Sequence, residues 1–108
     1  MLMVDDGSKD RTWKLIEELH EKDERFAGVK LSRNRGHQNA LLAGLFEAAR
    51  RRCDAAISMD ADLQDDVDAC DAMIERYMAG CDIVYGVRRH RTTDTFFKRT
   101  TALDFIRL

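Results

Sequence analysis

Short apolar runs alternate with amphipathic helical stretches along the whole chain, and three of the four runs break off into charged or polar residues. Met1–Val4 reads as a buried strand followed by polar Asp5–Asp10. Trp13, Ile16 and Leu19 then recur at helical spacing, with Ser8 or Asp10 placed to cap the helix. Val29–Leu31 is a second short strand, closed by a turn around Asn34–Gly36. Gln38–Arg52 is a helix, apolar at Leu41, Leu42, Leu45 and Ala49. Ala55–Met59 is a third strand that runs into the acidic segment Asp60–Asp68. Val67–Met78 is helical, Gly80 stops it, and Ile83–Tyr85 is a fourth strand. The spacing of Phe96, Phe97, Leu103 and Ile106 predicts a last helix over Thr95–Leu108. Such alternation specifies an α/β domain with a mainly parallel sheet.

The 108 residues suffice for one domain. No apolar run approaches the roughly 18 residues of a membrane span. Cys53, Cys70 and Cys81 form no CxxC pair, which predicts buried thiols rather than a disulfide frame or a zinc site. The net charge of -2 conceals an asymmetry: residues 1–87 hold 12 Lys/Arg against 18 Asp/Glu, whereas residues 88–108 hold 6 against 2. An acidic body suits cations and a basic tail suits anions. The first strand starts at Met1 without a flank, and the last helical pattern breaks off at Leu108. The chain therefore reads as a piece of a longer protein.

In open α/β sheets, ligands bind beyond the carboxyl ends of the strands, which singles out three segments. Asp60 and Asp62 lie one residue apart just past a strand, so a turn there can aim both carboxylates at one point. Such a pair suits a hard divalent cation, Mg²⁺ or Mn²⁺, and Gln64 can add a neutral oxygen. In Asp5-Asp6-Gly7-Ser8, one aspartate can accept hydrogen bonds from a ribose or base, and Gly7 permits a tight turn. Ordinary turn chemistry explains Gly7, Ser8 and Asp10, but not two adjacent aspartates. Asn34-Arg35-Gly36-His37 reads as a plain turn. Arg88 and Arg89, after Gly86, are planar forks suited to phosphate. No histidine shows metal-ligand spacing.

Taken in order, Asp5-Asp6-Gly7-Ser8-Lys9-Asp10-Arg11-Thr12, Ser32-Arg33-Asn34-Arg35-Gly36 and Asp60-Ala61-Asp62-Leu63-Gln64-Asp65 resemble the inverting family 2 glycosyltransferases. Val84–Arg88 and Asp94–Arg99 look like the polyprenyl-phosphate branch, which includes dolichol-phosphate mannose synthases and bactoprenol glucosyl transferases. The resemblance implies a GT-A fold, a Rossmann-like sheet flanked by helices. Residues 1–108 would be a partial GT-A domain, without the first strand and the C-terminal part. It further implies that Asp5, Asp6 and Asn34 face a nucleotide-sugar donor of UDP-glucose or GDP-mannose type. Asp60, Asp62 and Gln64 would hold Mg²⁺ or Mn²⁺ and the diphosphate, with Asp60, Asp62 and Arg88 as the catalytic set. Arg88, Lys98 and Arg99 would meet phosphate of the polyprenyl acceptor. The reaction would take place at the cytoplasmic face of a membrane, reached through C-terminal helices, with no role for nucleic acid. An unpaired apolar sheet edge would favour association between copies. Where relatives carry prolines after this loop, the chain has Asp66-Val67.

Two other readings compete. A phospho-acceptor receiver domain also pairs acids after its first strand with an Asp after its third, the parts open to Asp6 and Asp60. It leaves Asp62-Leu63-Gln64 unexplained, and Ile83–Arg89 lacks the Thr/Ser and Lys it needs. The other is a sugar-nucleotide-binding fragment without catalysis.

Overall fold

A computed structural model describes residues 1–87 and 104–108. The chain divides into two compact units, Met1–Cys53 and Asp54–Leu108.

In the first unit, β1 (Leu2–Asp5) pairs in parallel with β2 (Ala27–Lys30), Leu2 opposite Ala27 and Asp5 opposite Lys30. A parallel pair needs a crossover, supplied here by α1 (Thr12–Lys22). Ile16, 6% exposed, and Ala27, 8% exposed, are the buried apolar residues of this unit among those described. Gly28 lets the helix settle on the strand, because a Cβ there would lie 2.5 Å from Cγ2 of Ile16. Neither residue expected to cap α1 is its N-cap, which is Arg11 without a side-chain cap bond; Asp10, one residue earlier, instead accepts the backbone N–H of Thr12 at 2.9 Å and the Thr12 hydroxyl at 2.6 Å through Oδ1. The hydroxyl bond first, then the backbone bond, holds the Asp10 carboxyl below its usual range.

The second helix, α2 (His37–Arg50), follows β2 and ends two residues before the predicted boundary. The N–H of Cys53 reaches the carbonyl of Ala48 and that of Arg52 reaches Ala49, a Schellman closure with Arg52 at φ 58°. Three consecutive arginines read as helix in sequence, but the third has already left it.

In the second unit, β3 (Ala55–Ser58) and β4 (Ile83–Tyr85) both pair with β5 (Asp104–Arg107), and both pairings are antiparallel. The central strand corrects the expected terminal helix over its last residues, since Asp104–Arg107 is extended. The apolar pair Phe105-Ile106 is compatible with either period. The ladder decides, placing Ile106 opposite Ala56 on one side and Ile83 on the other. Residues 95–103 of that expected helix lie outside the described residues. The class is α/β as expected, but among the described residues one pairing is parallel and two are antiparallel. β3 and β4 do run parallel to each other, with β5 between them.

Helix α3 (Ala69–Met78) covers this sheet through Met73, 3% exposed, against Ala55, Ile57, Tyr77 and Val84. Its end matches the sequence expectation. Gly80, at φ +103°, closes a Schellman motif in which Cys81 N–H reaches Arg76 O and Gly80 N–H reaches Tyr77 O. The thiols depart from expectation: Cys53 and Cys81 are exposed and Cys70 is half-buried, all three unpaired. Each exposed cysteine sits just beyond a helix C-terminus, in a connection that runs over the surface.

Candidate functional site

The two aspartates at the end of β1 have separate tasks. Asp5 is 2% exposed, and its Oδ1 accepts the N–H of Ser8 at 2.8 Å. Its Oδ2 is buried without a hydrogen-bond partner. A buried carboxylate oxygen in that state is costly, and a ligand N–H or O–H is the kind of group that relieves it. Asp6 reaches instead to the loop between β2 and α2. Its Oδ1 accepts the N–H of Arg35 at 2.7 Å and its Oδ2 that of Gly36 at 3.0 Å. Gly7, at φ +72°, completes the approach: a Cβ there would stand 2.5 Å from the carbonyl carbon of Arg33 and from the nitrogen of Asn34. Only glycine fits such a turn and such a neighbour.

Asn34 belongs to the same cluster. Its Oδ1 accepts the Gly36 N–H at 3.1 Å, so that donor is shared with Asp6. Gly36 is the N-cap of α2 and has no side chain to cap with. Asp6 accepts the N–H of that N-cap residue, and its negative charge suits the positive end of the helix dipole. The first unit thus brings Asp5, Asp6 and Asn34 together around two touching loops.

In the second unit, the acidic loop leaves β3 and folds onto itself. Asp62 Oδ1 accepts the N–H of Gln64 at 3.0 Å, and Asp65 Oδ2 accepts the N–H of Asp60 at 3.0 Å. Between them Leu63 takes φ 61° while 92% exposed. A branched side chain in the left-handed region costs about 1–2 kcal/mol. Asp66 turns away to accept the N–H of Asp68 at 3.0 Å. Asp60 is half-buried, whereas Asp62 and Gln64 are exposed. The loop presents two carboxylates and an amide oxygen within five residues. These are hard oxygen donors of the type Mg²⁺ and Mn²⁺ take, and a carboxylate that accepts one N–H keeps lone pairs for a cation. Among the described residues, no three His, Cys, Asp or Glu side chains gather into a metal-binding group, the acidic loop included.

Arg88, Lys98 and Arg99 lie outside the described residues. Two features escaped the sequence reading: the unpartnered oxygen of Asp5, and Asp65 as the acceptor for Asp60. No local signal separates Asp65 from the other acids of its segment. For Asp5, the signal was the pair of adjacent aspartates, one more than a turn needs.

The sequence matches the family model Glycosyl transferase family 2 over residues 1–106. It is 58% identical over all 108 residues to the uncharacterized glycosyltransferase YkoT of Bacillus subtilis (strain 168), covering 32% of that protein. It is 43% identical over its whole length to the uncharacterized glycosyltransferase YkcC of the same organism, again covering 32%. With the bactoprenol glucosyl transferase of Shigella phage SfV the identity is 39% over the whole chain, covering 34% of that enzyme. The chain spans about a third of the length of these relatives.

Proposed function

The chain belongs to glycosyl transferase family 2, and on that premise we propose that it forms the donor-binding part of an enzyme moving a hexose from a nucleoside diphosphate sugar to a polyprenyl phosphate. The observation that carries this reading is the similarity, over all 108 residues of the chain, to a bactoprenol glucosyl transferase. The receiver reading gives way to the family match.

Asp5 and Asn34, with Asp6 beside them, take the nucleoside. The free Oδ2 of Asp5 accepts an N–H or O–H from base or ribose, a bond that removes an existing penalty as well as adding a contact. Asp60, Asp62 and Gln64 hold a Mg²⁺ or Mn²⁺ ion, which when bound offsets the negative charge growing on the leaving diphosphate. The displacement is inverting. A lipid phosphate oxygen forms a bond to the anomeric carbon while the bond to the diphosphate oxygen breaks on the opposite face, its electron pair leaving with the nucleotide. A phosphate oxygen is already anionic at neutral pH, so no side chain is required as a strong base. Arg88, with Lys98 and Arg99, neutralises the acceptor phosphate as it approaches a second phosphate-bearing molecule.

A polyprenyl acceptor places this chemistry at a membrane surface, and the nucleotide donor places it on the cytoplasmic side. Among the described residues no helix is long and apolar enough to cross a membrane. The test is transfer by the complete protein from UDP-glucose and GDP-mannose, with Mn²⁺, to a polyprenyl phosphate in vesicles. A lipid-linked sugar is the expected product. Failure to bind any nucleoside diphosphate would overturn the reading.

A further inference from the structure

Two adjacent aspartates end β1, and only Asp5 keeps a buried oxygen unpartnered. We propose that Asp6 is a positioning residue that latches the Ser32–Gly36 loop against Gly7 and so sets Asn34 for the nucleotide. The part of this that concerns the nucleotide rests on the function proposed above.

Three observations converge on the latch. Asp6 spends both carboxylate oxygens on consecutive backbone N–H groups of a loop 29 and 30 residues away. Gly7 brings its backbone so near Arg33 and Asn34 that no side chain fits between them. The far side of the loop is tied as well, since Asn39 Nδ2 donates to the carbonyl of Arg35 at 2.8 Å. The loop residues Ser32–Gly36 are themselves exposed apart from these ties. An exposed segment without its own sheet or helix bonds opens easily, so its geometry depends on a few anchors. Removing the carboxylate leaves the Arg35 N–H without its acceptor, leaves the Gly36 N–H to Asn34 Oδ1 alone, and takes a negative charge from beside the α2 N-terminus.

The experiment compares the complete protein with Asp6→Ala, Asp6→Asn and Gly7→Ala. Hydrogen exchange in the peptide covering residues 31–40 is followed without nucleotide, and binding of UDP and of GDP is titrated with Mn²⁺ present. Asp6→Ala should speed exchange at the Arg35 and Gly36 amides by about tenfold and weaken the preferred nucleotide by a similar factor. Asp6→Asn keeps one acceptor oxygen and should fall between wild type and Asp6→Ala in both measurements, which provides the conservative rescue if Asp6→Ala folds poorly. Gly7→Ala, which displaces the loop while leaving Asp6 in place, should move both readouts in the same direction. Unchanged exchange together with lost nucleotide binding would place Asp6 on the nucleotide itself and overturn the latch. Faster exchange with unchanged binding would overturn the positioning role. A wild-type protein that binds neither nucleotide would defeat the donor-site reading, while exchange would still decide whether the latch exists.

Discussion

The strand-end carboxylates of the two units are held in opposite ways. In Met1–Cys53, Asp6 bonds to residues 29 and 30 positions away, so its loop is shaped by tertiary structure. In Asp54–Leu108, the bonds that Asp62, Asp65 and Asp66 accept from backbone N–H groups span only two to five residues. The difference separates two kinds of robustness. The first loop is lost when the fold around it loosens, whereas the second depends on the identity of a handful of neighbours. A nucleoside is a large rigid shape and needs distant elements brought together. A cation needs only oxygens on one short stretch.

The sharpest way to break this contrast is Asp62→Asn in the complete protein. If the second loop is a self-contained cation site, metal-dependent transfer should fall by about a hundredfold, or roughly 2.7 kcal/mol. Metal-free lipid binding should stay nearly intact. Single-turnover transfer and a Mn²⁺ titration would show it, and equal losses in both kinds of binding would mean that the loop supports more than metal. Arg88→Lys is the next largest. A planar fork that grips phosphate loses geometry when replaced by an ammonium, and transfer should drop at least tenfold, about 1.4 kcal/mol. Unchanged turnover on saturating lipid would return Arg88 to the solvent.

A smaller effect compares the two helix ends. Both α2 and α3 close in Schellman motifs, one with Arg52 at φ 58° and the other with Gly80 at φ +103°. Arg52→Gly should stabilise the first unit by about 1 kcal/mol, read as a higher denaturation midpoint. No gain would mean that the arginine side chain compensates its own strain. The smallest effect is electrostatic. Glu47, held by Arg50 and Arg51, has its pKa lowered from 4.5 to about 2. A depressed carboxyl contributes stability above pH 4.5 and loses it as pH falls towards 2. Glu47→Gln should therefore lower the stability of the first unit slightly at pH 7 and flatten its acid-unfolding profile in that window, the difference from wild type vanishing towards pH 2.

The sequence carried the strand ends better than the strand partners. Apolar runs located β1, β3 and β4 to within a residue or so, and the acids after them were plain. Local periodicity could not reveal that Asp104–Arg107 is extended, because its structure is imposed by β3 and β4 from far along the chain. Arg52 escaped for a related reason, since nothing in Arg50-Arg51-Arg52 marks where the helix stops. The adjacent aspartates were recognised as excessive for a turn. That Asp6 serves a different loop became visible only once β1 and β2 were paired.

Among the described strands, the one in the middle of the second sheet is the last to be synthesised. β1 meets β2 within the first 30 residues, but among the described residues β3 and β4 gain their common partner only when Arg107 has left the ribosome. At about 5–20 residues per second, the roughly 50 residues after β3 take some seconds to appear. Through that interval the edges of β3 and β4 that β5 will fill stand open to any other extended segment. A β5 from a neighbouring nascent chain has the same ladder to offer, so crowded translation on one messenger favours exchanged strands between copies. A slower, well-separated ribosome traffic favours each sheet closing on its own chain.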